Sequence, residues 1–227
     1  MRRILITNAK GGCGKSTLAT NLASVYATKG YHTALFDHDE QRSSLRWLRQ
    51  RETTDYPMIH GVDASRNRVQ NVTRTWQLRV PDNTERVIID TPAGLKGGEL
   101  IQQLHGVDDI LIPVLPSPID IHATADFIRD LLLVGKVRER RIRLGIVANR
   151  VRINTVSFRT LERFLRNLDI PVVARLRDTQ NYTHAAEQGC GIHEIKSSSK
   201  KLDMPQWLAL TDWIESEASF QEQQKHA

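Results

Sequence analysis

The stretch "ILITNAKGGCGKSTLATNLA", residues 4–23, decides how this sequence folds. A short apolar run leads into a glycine-rich turn, and a stretch of helical period follows, which is the strand–turn–helix context of a phosphate loop. Gly11, Gly12, Cys13 and Gly14 make the turn, whose glycines let backbone N–H groups close around phosphate oxygens. Lys15 is placed to reach the β and γ phosphates, and the Ser16 hydroxyl can ligate Mg²⁺. Thr17 follows at a helix N-terminus, where the helix dipole favours anions. A nucleoside triphosphate, ATP or GTP, with Mg²⁺ is therefore the expected ligand. The common form of the loop has glycine at the position of Ala9; here the pattern is Lys-Gly-Gly-x-Gly-Lys-Ser, with a second lysine, Lys10, at the loop entrance.

Outward from the loop, apolar runs at 3–8, 33–37, 58–63, 86–90, 109–115, 143–149 and 171–176 read as strands. Helical patterns fall near 15–29, 41–51, 66–79, 97–106, 120–138, 155–168, 180–188 and 205–219. This alternation is that of βα units, and near-continuous apolar strands imply burial on both faces. The expected fold is α/β, a doubly wound, mostly parallel sheet with helices on both faces. We read one domain, 1–219, and a polar tail, 220–227. No apolar run approaches the roughly 20 residues that span a bilayer, and "MRRILITN" lacks a small-residue cleavage site, so a cytoplasmic protein is expected. Cys13 and Cys190 read as free thiols. The formal charge of +6 and a pI near 9.5 favour a polyanionic partner, although an arginine-rich solvated surface has the same composition.

With Lys10 beside Lys15, the loop resembles that of the deviant Walker ATPases, the ParA/MinD superfamily, with Lys10 as the signature lysine. The resemblance implies a homodimer with two ATP molecules at its interface, across which Lys10 reaches the partner's phosphates as an arginine finger does. It extends to "FDHDEQRSS", similar to an Asp-x-Asp-Pro-Gln segment. By resemblance Asp39 positions the attacking water and Asp37 lies near the Mg²⁺ shell, although two aspartates at a strand end also serve as turn formers or a helix N-cap. Glu40 replaces the customary proline. "VIIDTPAG" resembles the Walker B strand and switch II, with Asp90 holding Mg²⁺ through water. By the same resemblance "IVANR" nominates Asn149 for the adenine, at a position where asparagine is also common in turns.

Three functions fit such a scaffold: a ParA-like positioning ATPase on nonspecific DNA, a MinD-like membrane regulator, or a metabolic P-loop enzyme. A lipid-lying helix needs an apolar stripe and a basic polar side. The last helix has the stripe, Trp207, Leu210 and Ile214, but its polar side and tail carry Asp212, Glu215, Glu217 and Glu222, so no membrane partner is expected. Sequence-independent DNA binding needs clustered cations. We expect them in Arg152, Arg159, Arg163, Arg175, Arg177, Lys196, Lys200 and Lys201, with a further run at "RERRIR" (Arg138, Arg140, Arg141, Arg143). The ParA-like reading is therefore the expectation. It implies a nucleoid-associated ATPase whose hydrolysis a small adaptor stimulates, and a cargo that is a plasmid, a chromosome region or a protein body such as a carboxysome.

Overall fold

Each apolar run ends at a polar residue or a glycine turn, and seven strands result. The computed structural model describes residues 1–65, 80–196 and 198–216. The strands are β1 (Arg2–Ile6), β2 (Thr33–Asp37), β3 (His60–Asp63), β4 (Arg86–Asp90), β5 (Asp109–Val114), β6 (Arg143–Val151) and β7 (Val172–Arg177). They form one sheet in the order β3-β2-β4-β1-β5-β6-β7, with every neighbouring pair parallel. The described helices are α1 (Lys15–Thr28), α2 (Ser43–Arg51), α3 (Gly97–Gln103), α4 (Pro118–Leu133), α5 (Val156–Arg166), α6 (Asn181–Glu187) and α7 (Met204–Glu215), with a 3₁₀ turn at Ser198–Leu202. The helix expected at 66–79 and the tail at 220–227 lie outside the described residues.

Alternate residues of each strand point to opposite faces. Leu5, Ile110 and Ile112 pack with α3, α4 and α5, while Ile4, Ile6 and Leu111 pack with α1, α2, α6 and α7. Both faces are covered, as the apolar strands require. β1 lies centrally, with β4, β2 and β3 to one side and β5, β6 and β7 to the other, so the order of connections reverses beside β1. In such sheets the ligand crevice opens there, beyond the strands' C-terminal ends.

Three expectations need correction. α4 runs from Pro118 to Leu133, not from 120 to 138. Its start follows from Pro118 in the first turn, where a missing N–H costs nothing. It stops where Lys136 takes a left-handed φ of 50°. Arg143 is no surface cation, being only 3% exposed. Its Nε donates to Asp109 Oδ1 at 2.6 Å, and its Nη atoms donate to the carbonyls of Ile214 and Ser216, both at 2.8 Å, at the end of α7. These carbonyls lack intrahelical partners, and a guanidinium satisfies several at once. α7 ends at Glu215, with Ser216 already extended. Its stripe of Trp207, Leu210 and Ile214 is buried against the sheet. Burying each such side chain contributes about 1.5–3 kcal/mol, so the helix is a docked part of the core.

Candidate phosphate and metal site

Register brings the site together. Ile6 pairs with Asp90, and Asp90 with Asp37, so the two aspartates stand on one rung at the C-terminal ends of β4 and β2. The phosphate loop leaves β1 on the next rung. Asn8, fully buried, anchors its entrance by donating from Nδ2 to Pro113 O at 2.8 Å and Thr124 Oγ1 at 3.0 Å. Gly14 needs its lack of a side chain twice over, because its φ of 95° is left-handed and a Cβ would collide with Asn149 Nδ2.

The two lysines differ. Lys15 is 7% exposed, and its Nζ donates to Lys10 O at 3.0 Å. That carbonyl also accepts from Cys13 Sγ at 3.3 Å. Burial pushes the Cys13 thiol up, against the pull of Lys15, and keeps it protonated as a donor. Lys10 itself is half-buried at the mouth of the loop and makes no ion pair with any described residue. One cation is thus tucked under the loop and a second stands at its rim.

Asp90 is completely buried. Its Oδ2 accepts from Ser44 Oγ at 2.7 Å, while Oδ1 has no partner among the described residues. Burial pushes its pKa up to about 7, against the hydrogen bond from Ser44, the neighbouring Ser16 hydroxyl and the charge of Lys15. A carboxylate oxygen with nothing to accept, beside the Ser16 hydroxyl, is the donor set that Mg²⁺ uses: one or two protein oxygens, with phosphate and water completing the shell. No cluster of three or more His, Cys, Asp or Glu that could cage a metal occurs among the described residues. The site therefore fits Mg²⁺ held jointly with a nucleotide.

Asp37 is equally buried, but its two oxygens accept from the backbone amides of Asp39 and Leu45, both at 3.0 Å. It ties the loop and the start of α2 to the sheet. Asp39 is half-buried and closes a turn, accepting Gln41 N on Oδ1 at 2.9 Å and Arg42 N on its carbonyl at 3.0 Å. That turn forms with Glu40 exposed within it, where the resembling segment has proline. Asn149 donates to Cys13 O at 2.8 Å and accepts from Arg150 N at 3.0 Å, so here its amide shapes the phosphate loop.

The basic surface is more neutralised than its composition implies. Arg152 pairs with Asp178 at 2.6 Å, Arg175 with Glu162 at 2.8 Å and Arg177 with Asp203 at 2.8 Å. Lys200 Nζ donates to His193 O at 2.7 Å. Arg159, Arg163, Lys196 and Lys201 are exposed, and no ion pair to a described residue engages them. Ser44 and Asn8 escaped sequence reading. Ser44 stands in "RSS", inside the helix expected at 41–51, and only the pairing of β2 with β4 sets it beside Asp90. Asn8 looks like the last residue of a strand.

The profile of the CobQ/CobB/MinD/ParA nucleotide binding domain matches residues 4–191. Maintenance of carboxysome distribution protein A of Halothiobacillus neapolitanus is 26% identical over 196 residues, 85% of this chain and 87% of that protein. A plasmid partition protein of Borrelia burgdorferi, solved bound to AMPPNP, superposes with a TM-score of 0.67 at 16% identity, covering 93% of this chain and 98% of that one. The septum site-determining protein MinD of Pyrococcus horikoshii, solved with Mg-ADP, gives 0.66 at 15% identity, covering 96% and 98%.

Proposed function

The chain belongs to the CobQ/CobB/MinD/ParA family of nucleotide-binding ATPases, and from that premise we propose that it is a ParA-like positioning ATPase working as an ATP-sandwich dimer on nonspecific DNA. The observation that carries this reading is the pair of lysines. Lys15, under the loop, serves the nucleotide of its own subunit; Lys10, at the rim with no ion-pair partner among the described residues, serves the nucleotide of a facing subunit. The same edge of the sheet exposes Ile119, Ile153 and Val156, each 69–70% accessible, just beyond β5 and β6. Exposed apolar side chains around a nucleotide site favour burial by a second copy.

In the assembled dimer the loop amides and Lys15 bind the phosphates, and Lys10 neutralises charge that develops on the transferred phosphoryl group. Ser16 and Asp90 would hold Mg²⁺, which when bound would withdraw charge from the phosphates. Asp37 keeps the turn after β2 in place, and Asp39, half-buried at that turn, orients the attacking water. Asn149 backs the loop, and through it the adenine side of the site. DNA is held by the exposed cations Arg159, Arg163, Lys196 and Lys201, with Arg152, Arg175, Arg177 and Lys200 contributing field around them. An adaptor protein stimulates hydrolysis and releases the dimer. The likeness to a carboxysome distribution protein makes a protein body such as a carboxysome the favoured cargo, in a cytoplasmic, nucleoid-associated cycle. A membrane role is disfavoured because the apolar stripe of α7 is already spent on the core.

Lys10→Ala tests the reading. The variant should bind ATP within about twofold of the parent protein but lose the ATP-dependent dimer by light scattering, or its turnover. Normal dimerisation with normal turnover would make Lys10 merely a charge at a loop entrance.

A further inference from the structure

We propose that Ser44 is a positioning residue for the metal-binding carboxylate Asp90, an inference that rests on the Mg²⁺-dependent ATPase reading. Ser44 is fully buried. A buried helical serine usually satisfies its hydroxyl on a carbonyl of the preceding turn. Ser44 instead donates to Asp90 Oδ2 at 2.7 Å, across 46 residues of sequence. That bond fixes which oxygen of Asp90 is engaged and leaves Oδ1, buried and unpartnered among the described residues, beside Ser16 for the cation.

The donor is itself held from both ends. At the start of α2, Leu45 N donates to Asp37 Oδ2 at 3.0 Å, and Asp37 shares its rung with Asp90. The first turn of α2 therefore cannot shift without breaking a buried amide–carboxylate bond. At its far end Arg51 makes two bonds of 2.8 Å to Glu194, and Trp47 Nε1 reaches Cys190 O at 3.4 Å. Gly189 packs so closely on α2 that a Cβ would lie 2.5 Å from Arg51 N. A helix gripped in this way presents its hydroxyl at one place, as a group that orients a metal ligand must.

The experiment uses the full chain and measures the Mg²⁺ concentration giving half-maximal tightening of a fluorescent non-hydrolysable ATP analogue. Mn²⁺ binding by electron paramagnetic resonance gives a second readout. Groups that orient metal ligands typically change metal affinity by about 10–100-fold. Ser44→Ala should raise the midpoint by about that factor while leaving nucleotide binding in EDTA unchanged, and Ser44→Thr should recover most of the loss. In an Asp90→Asn background Ser44→Ala should add nothing further, because it acts through that carboxylate. The proposal is overturned if Ser44→Ala keeps a midpoint within about twofold of the parent, if its loss persists in full beside Asp90→Asn, or if nucleotide binding in EDTA falls equally. A parent protein whose nucleotide binding ignores Mg²⁺ would overturn the ATPase reading itself and this inference with it.

Discussion

Asp90 and Asp109 are both wholly buried carboxylates on strands of one sheet, and they are completed in opposite ways. Asp109, at the start of β5, has both oxygens taken, by Arg2 Nε at 2.6 Å and by Arg143 Nε at 2.6 Å. Asp90, at the end of β4, has one hydroxyl donor at 2.7 Å and one oxygen with no described partner. A buried charge is tolerated only when paired. The fully paired carboxylate belongs to the scaffold, where it joins β1, β5, β6 and the end of α7. The incompletely paired one leaves one buried oxygen open at the end of β4. The difference follows the sheet: scaffold at the strand N-termini, chemistry at the C-termini.

The largest effect should come from Asp109→Ala, which strands two guanidinium groups at one end of the core. Removing one partner of a buried pair costs about 3–5 kcal/mol, a large share of a domain's stability. Chemical denaturation should show that loss, with nucleotide affinity of the folded fraction retained. Asp90→Asn should do the reverse. Nucleotide binding should lose its Mg²⁺ dependence by about tenfold or more, while denaturation shows equal or greater stability, because a desolvated charge has been removed. If the two variants behave alike, the division between scaffold and site carboxylates fails.

Arginines obey the same contrast at smaller scale. Arg159→Ala with Arg163→Ala should flatten the salt dependence of DNA binding by about two units of log–log slope. Arg177→Ala, which removes the charged partner of the buried Asp203, should act chiefly on stability. The smallest effect concerns Glu194. Burial opposes its ionisation, but the Arg51 guanidinium holds its carboxyl below the ordinary value of 4.5. A lowered acid contributes stability that is present above its unfolded pKa and lost as pH falls through its folded one. As pH falls below about 4.5 the thermal midpoint should therefore drop more steeply for the parent protein than for Glu194→Gln. Parallel curves would show that the pair has no net effect.

Much of this was legible in advance. The bounds of β2 and β4 are readable because each apolar run ends on an aspartate, and the phosphate loop because strand, glycines and helix are contiguous. The family matched at residues 4–191 agrees with the resemblance read at Lys10 and Lys15. What sequence could not supply was separation. Arg143 sat in a run of exposed cations, but the acid it finds is 34 residues away and the carbonyls it caps are about twice as far. Ser44 was one of two adjacent serines until strand register chose between them. Arg152, Arg175 and Arg177 counted as free charge because their acidic partners come from neighbouring loops and helices.

The grip of Arg143 on the end of α7 has a practical corollary. Arg143 and Arg86, which pairs with Glu215 at 2.8 Å, both stand on the first residues of their strands. Ser216 is thus fixed at the edge of the sheet opposite the phosphate loop, about 17 Å away by the rise of a five-residue strand. A fluorophore or affinity handle attached beyond that residue would set out from the side that the proposed dimer leaves open.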